Sequence, residues 1–330
     1  MASVSRSGSR WWCGLVLTGA LSSLGCQPDR AAAISPTSVA RPPAGAERQP
    51  PSTANGCSCA TTVVATHHFQ HVVIIVLENT DVETARKIDY FRQLAAEGAS
   101  FADFHGVTHP SYSNYLAMVA GQNIFSLWDI QRNLDECLIA DLLHAKGLTW
   151  KNYAEGYPEP SDPQMPADQC FRGDRLGGYA RKHVPFMSFI RVQQKQCGNI
   201  VSASAFDSDR ASGNLPSYAF YSPDLDHDGH DTGIAKTAIW LQGFLEPLHA
   251  DGAWPEDTLI VVTFDESGDQ SSSYGNHIYT VLLGNMIKPG TIIPGRRDHY
   301  DVLRMIEDNF GLCSLAGGDG AARPITGIWK

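Results

Sequence analysis

Two uninterrupted apolar runs constrain the fold more than any other feature of this 330-residue chain. Residues 71–77 read HVVIIVL and residues 258–264 read TLIVVTF, and both runs are rich in β-branched side chains. A strand that is apolar at nearly every position has to be buried on both faces, as the strands of a parallel sheet are when helices cover it.

Shorter strand patterns and helical patterns alternate with these runs. The sequence predicts further strands at residues 100–104, 149–153, 217–221 and 278–284, and helices at 83–98, 137–146, 234–249 and 299–310. Such alternation is typical of α/β folds. We therefore expect a mostly parallel central sheet with helices on both faces.

The N-terminus has the composition of a targeting segment. Two arginines precede a mostly apolar stretch, residues 11–24, which is too short to cross a bilayer as a helix. Residues 1–26 therefore predict a signal peptide. The end of this segment, LSSLGC, resembles a bacterial lipobox with Cys26 as the lipidated residue, so ordinary cleavage and lipoprotein-type cleavage both stay open.

A linker is predicted to follow the signal peptide. Residues 27–60 are rich in Pro, Ala, Ser and Arg and contain hardly any large apolar side chain, which indicates a flexible tether. The folded catalytic domain is predicted over residues 61–330. We expect an exported protein that is periplasmic, secreted or held at the cell surface as a lipoprotein.

Six cysteines remain beyond residue 56, and an even number in an exported chain suggests disulfides. We expect Cys170 to pair with Cys197, because both lie in the polar stretch 155–200 that lacks strong periodicity. Cys57 and Cys59 could begin a zinc site, but no second pair at ligand spacing follows them.

Acidic and amide side chains stand directly after the buried runs. Glu78 and Asn79 follow the first run, Asp265 and Glu266 follow the second, and an Asp/His-rich loop at 224–231 follows the predicted strand 217–221. Ligands in open α/β sheets bind at the carboxyl ends of the strands. Oxygen ligands suit Ca²⁺, Mg²⁺ or Mn²⁺, and histidines would also allow Zn²⁺. A single carboxylate in such a position could instead cap a helix.

The loop DLDHDGHD has a second interpretation. Asp224, Asp226 and Asp228 match the opening of an EF-hand loop. That loop needs a bidentate Glu at its twelfth position, where this chain has Ala235. The pattern therefore disfavours an EF-hand.

The segment GVTHPSYSN, residues 106–114, places hydroxyls at the start of a predicted helix. Pro110 suits a first helical turn, whose free N–H groups can bind phosphate. The hydroxyl of Thr108 could there bind a metal and attack phosphorus. Alternatively, Thr108, Ser111 or Ser113 simply caps the helix. The acidic groups expected at the same sheet edge favour the nucleophile.

Six segments together resemble a known family. They are VIIVLEN (73–79), GASFADFHGVTHPSYSNYLAMVAG (98–121), YARKHVPF (179–186), YSPDLDHDGHD (221–231), VVTFDES (261–267) and HYDVLRMIEDNFGL (299–312). In these segments the chain resembles the phosphoesterase family of bacterial phospholipases C and acid phosphatases, within the alkaline phosphatase superfamily. The resemblance implies an alkaline-phosphatase-like three-layer sandwich and a metal-dependent phosphomonoesterase that forms a covalent phosphothreonine.

The resemblance also implies residue roles. The metal would be bound by Glu78, Asn79, Thr108, Asp265 and Glu266. Thr108 would be the nucleophile, and His230 would protonate the leaving oxygen. The residues expected to bind substrate are Asn114, Lys182, His183, Asp228, His277 and His299.

The sequence leaves other functions open. The same site could cleave phosphodiesters, as a phospholipase C does, or sulfate esters, although family phospholipases usually extend further at the C-terminus. A function of another class is an exported metal-binding surface protein without turnover. The formal net charge of −10 argues against nucleic acid as a partner. We expect a phosphate-ester substrate and membrane attachment only through an N-terminal lipid, with the metal and the oligomeric state undetermined.

Overall fold

The central sheet contains both predicted apolar runs as neighbouring strands. A computed structural model describes Cys57 and residues 63–249, 252–268 and 275–330. The predicted signal peptide and, apart from Cys57, the predicted linker lie outside the described residues. The strands in chain order are β1 His71–Leu77, β2 Ala99–His105, β3 Trp150–Ala154, β4 Arg175–Leu176, β5 Tyr179–Ala180, β6 Ile200–Ser202, β7 Tyr218–Ser222, β8 Thr258–Phe264, β9 His277–Ile278, β10 Thr280–Leu283 and β11 Thr291–Asp298.

The sheet is mixed but mostly parallel, as predicted. Its order is β11-β2-β10-β8-β1-β7-β3-β6, with β9 paired to β2. Strand β1 runs parallel to both β7 and β8, and β10 runs antiparallel to both β8 and β2. The short strands β4 and β5 form a separate antiparallel pair.

Helices cover both faces of this sheet. They are α1 Val82–Ala85, α2 Asp89–Glu97, α3 Ser111–Ala120, α4 Ile139–Ala145, α5 Ala205–Ala211, α6 Ile234–Leu245, α7 His299–Phe310 and α8 Gly318–Ala321. On one face, Phe220 of β7 packs against Tyr115 of α3. On the other face, its neighbour Tyr221 packs against Phe244 of α6, with ring centroids 4.4 Å apart. The period-two alternation of a strand thus buries both faces and accounts for the continuous apolar runs.

Helix α3 begins immediately after Pro110, as the sequence predicts. All ten of its residues are buried. It ends at Gly121, whose φ of 66° lies in the left-handed region that glycine adopts at little cost. The helix therefore has a fixed start and end within the core, and its first turn faces the carboxyl ends of the central strands.

The segment between β3 and β6 is largely irregular and is held by a disulfide. Cys170 pairs with Cys197, with Cα atoms 5.5 Å apart, so the predicted bridge is confirmed. Cys57 pairs with Cys137, and Cys313 is disulfide-bonded as well, which favours structural disulfides over a zinc site.

In the part of the chain that the structure describes, no helix is both long and apolar enough to span a membrane.

Candidate active site

The residues that follow β1 and β8 lie together at the edge of the sheet. Glu78 and Asp265 are fully buried, and Glu266 is almost so. The backbone N–H of Asn79 donates to Asp265 Oδ1 over 3.1 Å, and its side-chain amide donates to Glu266 Oε1 over 3.1 Å. The parallel pairing of the two strands thus brings together four of the predicted ligand residues from segments 186 positions apart.

Ser111, the first residue of α3, points its hydroxyl into this group. Its Oγ lies 3.3 Å from Glu78 Oε2, 3.1 Å from Asn79 Oδ1 and 3.1 Å from Glu266 Oε1. The side chain is buried. The hydroxyl therefore faces three oxygen acceptors at a helix N-terminus, where the helix dipole favours an anion.

His183 lies between two carboxylates at the same edge of the sheet. We call these residues, together with Asn79, Ser111, Asp265 and Glu266, the cluster. Its Nε2 lies 3.2 Å from Glu78 Oε1, and its Nδ1 lies 3.6 Å from Asp228 Oδ2. The ring stacks on Tyr115 of α3, with ring centroids 5.2 Å apart. Ligand atoms of Glu78, His183 and Asp228 all lie within 4.8 Å of one another, so these three residues could hold a metal ion.

Several polar atoms of the cluster are incompletely satisfied. Asp265 Oδ2 is buried without a hydrogen-bond partner among the described residues. Glu78 Oε1 and Asp228 Oδ2 face the ring nitrogens of His183 at 3.2 and 3.6 Å without a well-formed hydrogen bond. Such atoms cost free energy unless another group satisfies them. Carboxylate oxygens and imidazole nitrogens are ligands for Mn²⁺ and Zn²⁺, and carboxylates also for Mg²⁺ and Ca²⁺. The donor set therefore fits a divalent cation.

The pKa values reflect the crowding of carboxylates. Burial raises the pKa of Asp265 well above its ordinary value, and Glu78 and Glu266 raise it further. Burial also favours a higher pKa for Glu78, but the interactions with His183, Lys182 and Tyr115 together outweigh burial and hold that pKa below its usual range. Burial raises the pKa of Asp228 to about 6. A cation in this position would relieve the repulsion among the carboxylates.

Thr108 lies in the loop before α3, and Asn114 fixes that loop. The side-chain oxygen of Asn114 accepts hydrogen bonds from the backbone N–H groups of Val107 and Thr108, and its amide donates to Thr108 O and Glu266 Oε2. The Thr108 hydroxyl donates to the carbonyl of His109 over 3.2 Å. In this structure the amide of Asn114 is therefore occupied by protein partners.

Lys182 places a positive charge at the cluster. Its Nζ lies 3.4 Å from Glu78 Oε2 and 3.2 Å from Asp129 Oδ2. Burial lowers the pKa of Lys182, but Glu78 and Asp129 outweigh that effect and raise the pKa above its usual value. Lys182 is thus held as a cation at a position from which it could contact a negatively charged group bound at the cluster.

The three other predicted histidines lie in different surroundings. The half-exposed ring of His230 bonds to Asp231 through Nδ1 over 2.7 Å, while its backbone N–H donates to Asp228. His299 is buried and contacts the Asp265 carbonyl over 2.7 Å, and burial lowers its pKa to about 4. His277 stacks on His105, and burial lowers its pKa.

A second group of possible ligands combines Asp224 and His227 of the Asp/His-rich loop with Glu155, which directly follows β3. His227 Nδ1 lies 2.6 Å from Glu155 Oε2, and Asp224 accepts backbone N–H groups of its own loop. Tyr221 and Trp240 donate to the other oxygen of Glu155. These oxygens already have partners, so the group stabilises the loop that carries Asp228 and His230.

Sequence reasoning missed three features of the site. The sequence predicts Ser111 only as a possible helix cap. It gives no signal for His109, whose Nδ1 lies 2.8 Å from Glu266 Oε2. Asp129, the partner of Lys182, gave no signal, because it follows no predicted strand. The position of Ser111 directly after the helix-opening Pro110 could have indicated that its side chain faces the sheet edge.

A mostly parallel α/β sheet with carboxylates, an amide and a hydroxyl at the ends of its central strands has the architecture of an alkaline-phosphatase-like fold. The fold resembles a crystal structure of a protein in the alkaline phosphatase superfamily from Vibrio parahaemolyticus, with a TM-score of 0.53. That match covers 81% of this chain and 73% of the other at 13% identity. The chain belongs to the Phosphoesterase family, whose sequence pattern matches residues 82–313.

Curated relatives share enough sequence to compare directly. The chain is 35% identical over 269 residues to a probable acid phosphatase of Kluyveromyces lactis, covering 78% of this chain and 62% of that one. It is 36% identical over 267 residues to a phosphatidylinositol-3-phosphatase of Mycobacterium tuberculosis, covering 79% of this chain and 83% of the other. The chain spans 58–63% of the length of the fungal acid phosphatases it matches.

Proposed function

We propose that the chain is a metal-dependent phosphoric ester hydrolase of the acid phosphatase type, acting on phosphomonoesters. One observation carries the proposal: buried carboxylate, amide and imidazole groups from separate segments converge at the N-terminus of α3. Oxygens of Glu78, Asn79 and Glu266 lie within 3.3 Å of the Ser111 hydroxyl, and ligand atoms of Glu78, His183 and Asp228 lie within 4.8 Å of one another. The similarity to acid phosphatases supports the same activity. A surface protein without turnover would have no need to keep a hydroxyl at this position.

The residues that would hold the cation are Glu78, Asn79, Asp265 and Glu266, together with His183 and Asp228. A bound divalent cation supplies charge neutralisation at the phosphoryl oxygens and a lower pKa for a nearby hydroxyl. Lys182 and the positive end of the α3 helix dipole would orient the phosphoryl group.

Two hydroxyls are candidates for the nucleophile. Thr108 is supported by the Thr-x-Pro-Ser pattern and would give the phosphothreonine. Ser111 is supported by its contacts, because its Oγ lies within 3.3 Å of oxygens of Glu78, Asn79 and Glu266. The attacking hydroxyl would lose its proton and form a new O–P bond with the enzyme while the ester P–O bond breaks, and His230, whose backbone bonds to Asp228, would protonate the leaving oxygen. Water then releases phosphate and restores the hydroxyl.

Hydrolysis of p-nitrophenyl phosphate by Thr108→Ala and Ser111→Ala tests both assignments. Loss of the nucleophile is expected to lower kcat about a thousandfold or more. Loss of the other hydroxyl should cost far less. Ser212→Ala serves as the control, since this exposed residue directly follows α5 and its hydroxyl bonds to local groups, the carbonyls of Ser208 and Asp209 and the side chain of Asn214. Full activity in both active-site variants would remove the covalent step from the proposal.

Metal dependence has its own measurement. Chelation should abolish turnover, and adding back single divalent cations should restore it to different extents. Glu78→Gln removes a charged ligand while it keeps the size of the side chain, so it should weaken the affinity for the activating cation by tenfold or more. Turnover that is indifferent to chelation contradicts the metal in this scheme.

The names of the relatives suggest candidate substrates, which we include in the proposal. One relative is named for dephosphorylating a phosphatidylinositol 3-phosphate, so a lipid phosphomonoester is a second candidate substrate beside soluble phosphomonoesters. A panel of soluble monoester, lipid monoester and phosphatidylcholine separates phosphatase from phospholipase C activity.

The disulfides Cys57–Cys137 and Cys170–Cys197 support an oxidising compartment and thus export.

A further inference from the structure

A cluster of exposed apolar side chains lies in the loop after α3. The exposed fractions are 54% for Phe125, 54% for Leu127, 82% for Trp128 and 62% for Ile130. We call these four residues the apolar loop patch. Large apolar side chains that are exposed together mark a surface that contacts a protein partner, a ligand or a membrane.

The loop is fastened to the first turns of the helix that carries the candidate nucleophile. The backbone N–H of Ser126 donates to Ser113 Oγ over 3.0 Å, and the backbone N–H of Tyr112 donates to Asp129 Oδ1 over 3.0 Å. The loop also closes on itself, because Ser126 Oγ donates to the carbonyl of Ile130. The patch therefore has a fixed position beside the phosphoester site.

The backbone conformation exposes the apolar side chains and directs the acidic one inward. Trp128 and Asp129 have φ values of 58° and 54°, in the left-handed region that residues other than glycine adopt only at a cost in free energy. At this point the chain leaves Trp128 in solvent while Asp129 reaches Lys182 over 3.2 Å. The hydrogen bonds of Ser126 and Asp129 hold this strained turn, and Trp128 stays exposed next to the site.

The loop can enter an apolar phase without desolvating an unpaired charge. Asp129 is the one charged residue between positions 122 and 131, and both of its carboxylate oxygens have partners. Tryptophan with aliphatic neighbours is the composition that proteins use at the boundary between water and lipid. The net charge of −10 gives no general attraction to anionic lipid.

The size of the patch argues against a second copy of the chain as its partner. A whole aromatic side chain has a surface of about 150–250 Å². With the exposed fractions given above, the four side chains together expose on the order of 500 Å². A stable protein interface buries about 800 Å² on each partner. A lipid surface requires no complementary patch on a partner, and the strength of binding scales with the apolar area that is inserted.

We propose that the apolar loop patch inserts into the surface of a lipid bilayer and thereby presents lipid phosphomonoesters to the active site. The proposal rests on the proposed function for the nature of the substrate, but the docking itself does not depend on turnover. It adds a membrane contact of the folded domain to the N-terminal lipid expected from the sequence.

The test compares a Leu127→Ser/Trp128→Ser variant with an Ile239→Ser/Ile292→Ser variant. The control residues are similarly exposed, at 75% and 66%, but belong to α6 and β11. All proteins carry Cys26→Ala, which removes the predicted lipidation site. Binding to phosphatidylcholine vesicles is measured by co-sedimentation at low and high salt, and thermal unfolding verifies that each variant is folded.

We expect the loop variant to lose at least tenfold in vesicle partitioning and the control variant to stay within twofold of the parent, at both salt concentrations. The ratio of rates on vesicle-embedded phosphatidate and on p-nitrophenyl phosphate should fall about tenfold in the loop variant alone. A parent protein that does not sediment with vesicles, or a control variant that loses as much, overturns the proposal.

Two further outcomes are decisive. A parent dimer in light scattering that dissociates in the loop variant would assign the patch to self-association and overturn lipid docking. If vesicle binding follows the pattern expected but neither substrate is hydrolysed, the docking stands and the proposed phosphatase activity fails. The sedimentation and the rate measurements therefore distinguish the two failures.

Discussion

Asn114 shows how much of this site depends on a single buried amide. It accepts two backbone hydrogen bonds with one side-chain atom and donates two with the other, to Thr108 O and to Glu266 Oε2. The substitution Asn114→Asp keeps the shape but replaces both donated bonds with repulsion between oxygens. We expect a loss of about 3 kcal/mol in the free energy of unfolding. We also expect kcat/KM on p-nitrophenyl phosphate to fall about a hundredfold, because the Thr108 loop shifts.

Asn309 provides a matched control for this prediction. Its side-chain oxygen accepts from the backbone N–H groups of His68 and Phe69, and its amide donates to Phe69 O, far from the site. Asn309→Asp should therefore cost stability to a similar extent while folded molecules retain their activity. Urea unfolding and steady-state kinetics on both variants separate the two effects. Equal activity of the two variants would show that Asn114 has only a structural role.

At the scale of residues, the sequence predicts ligands that follow buried strands and misses those that do not. Glu78 and Asp265 stand directly after the two apolar runs, so the strand signal locates them. The contact between Lys182 and Asp129 spans 53 positions and depends on how an irregular loop folds back, which no periodicity encodes. His183 was expected to bind substrate, and its position between Glu78 and Asp228 follows only from the folded chain.

At the scale of elements, burial patterns identify strands but not their direction. Residues 278–284 predict one buried strand, and the structure divides them at Tyr279 into β9 and β10, both antiparallel to β2. A buried strand has the same apolar composition in either direction, so the sequence cannot distinguish the two. The edge strand β11 was missed because it is partly exposed and contains Pro294 and Gly295.

The N-terminal cap of α7 gives a prediction at this scale. Asp298 accepts from the backbone N–H of Tyr300 over 2.9 Å, and Asp301 accepts from that of Asp298 over 2.9 Å. Asp298→Ala should lower the free energy of unfolding by about 1 kcal/mol. Asp298→Asn keeps the acceptor and should lose only a few tenths of a kcal/mol or none.

The pH dependence of these two variants follows from the pKa of the cap. Burial, with a contribution from Asp301, raises the pKa of Asp298 above its ordinary value. The folded state then binds the proton more tightly than the unfolded state, so the carboxylate costs stability as pH rises from about 3.8 through the folded pKa. Relative to the parent, Asp298→Asn should become more stable between about pH 4 and about pH 7. Urea unfolding at both pH values measures this, and a pH-independent difference would contradict it.

At the scale of the whole molecule, the site combines a rigid part and a stapled part. Glu78, Ser111 and Asp265 stand at the ends of buried strands or at the start of a buried helix, and the core fixes them. Lys182 and His183 come from the segment between β3 and β6, which contains only two-residue strands and short helical turns. The disulfide Cys170–Cys197 closes that segment around them.

The two described disulfides should therefore differ in what their removal costs. Cys57–Cys137 spans 80 positions and Cys170–Cys197 spans 27. The entropy of loop closure predicts losses of about 4.5 and about 3.5 kcal/mol when each pair is replaced by alanine.

Activity should change in the opposite order. Without Cys170–Cys197, Lys182 and His183 lose their fixed position, so KM for p-nitrophenyl phosphate should rise about tenfold, whereas loss of Cys57–Cys137 leaves the core strands that carry Glu78 in place. Thermal unfolding ranks the two double-alanine variants by stability, and steady-state kinetics well below both midpoints rank them by KM. If both measurements rank the variants in the same order, the division into a rigid and a stapled part is wrong.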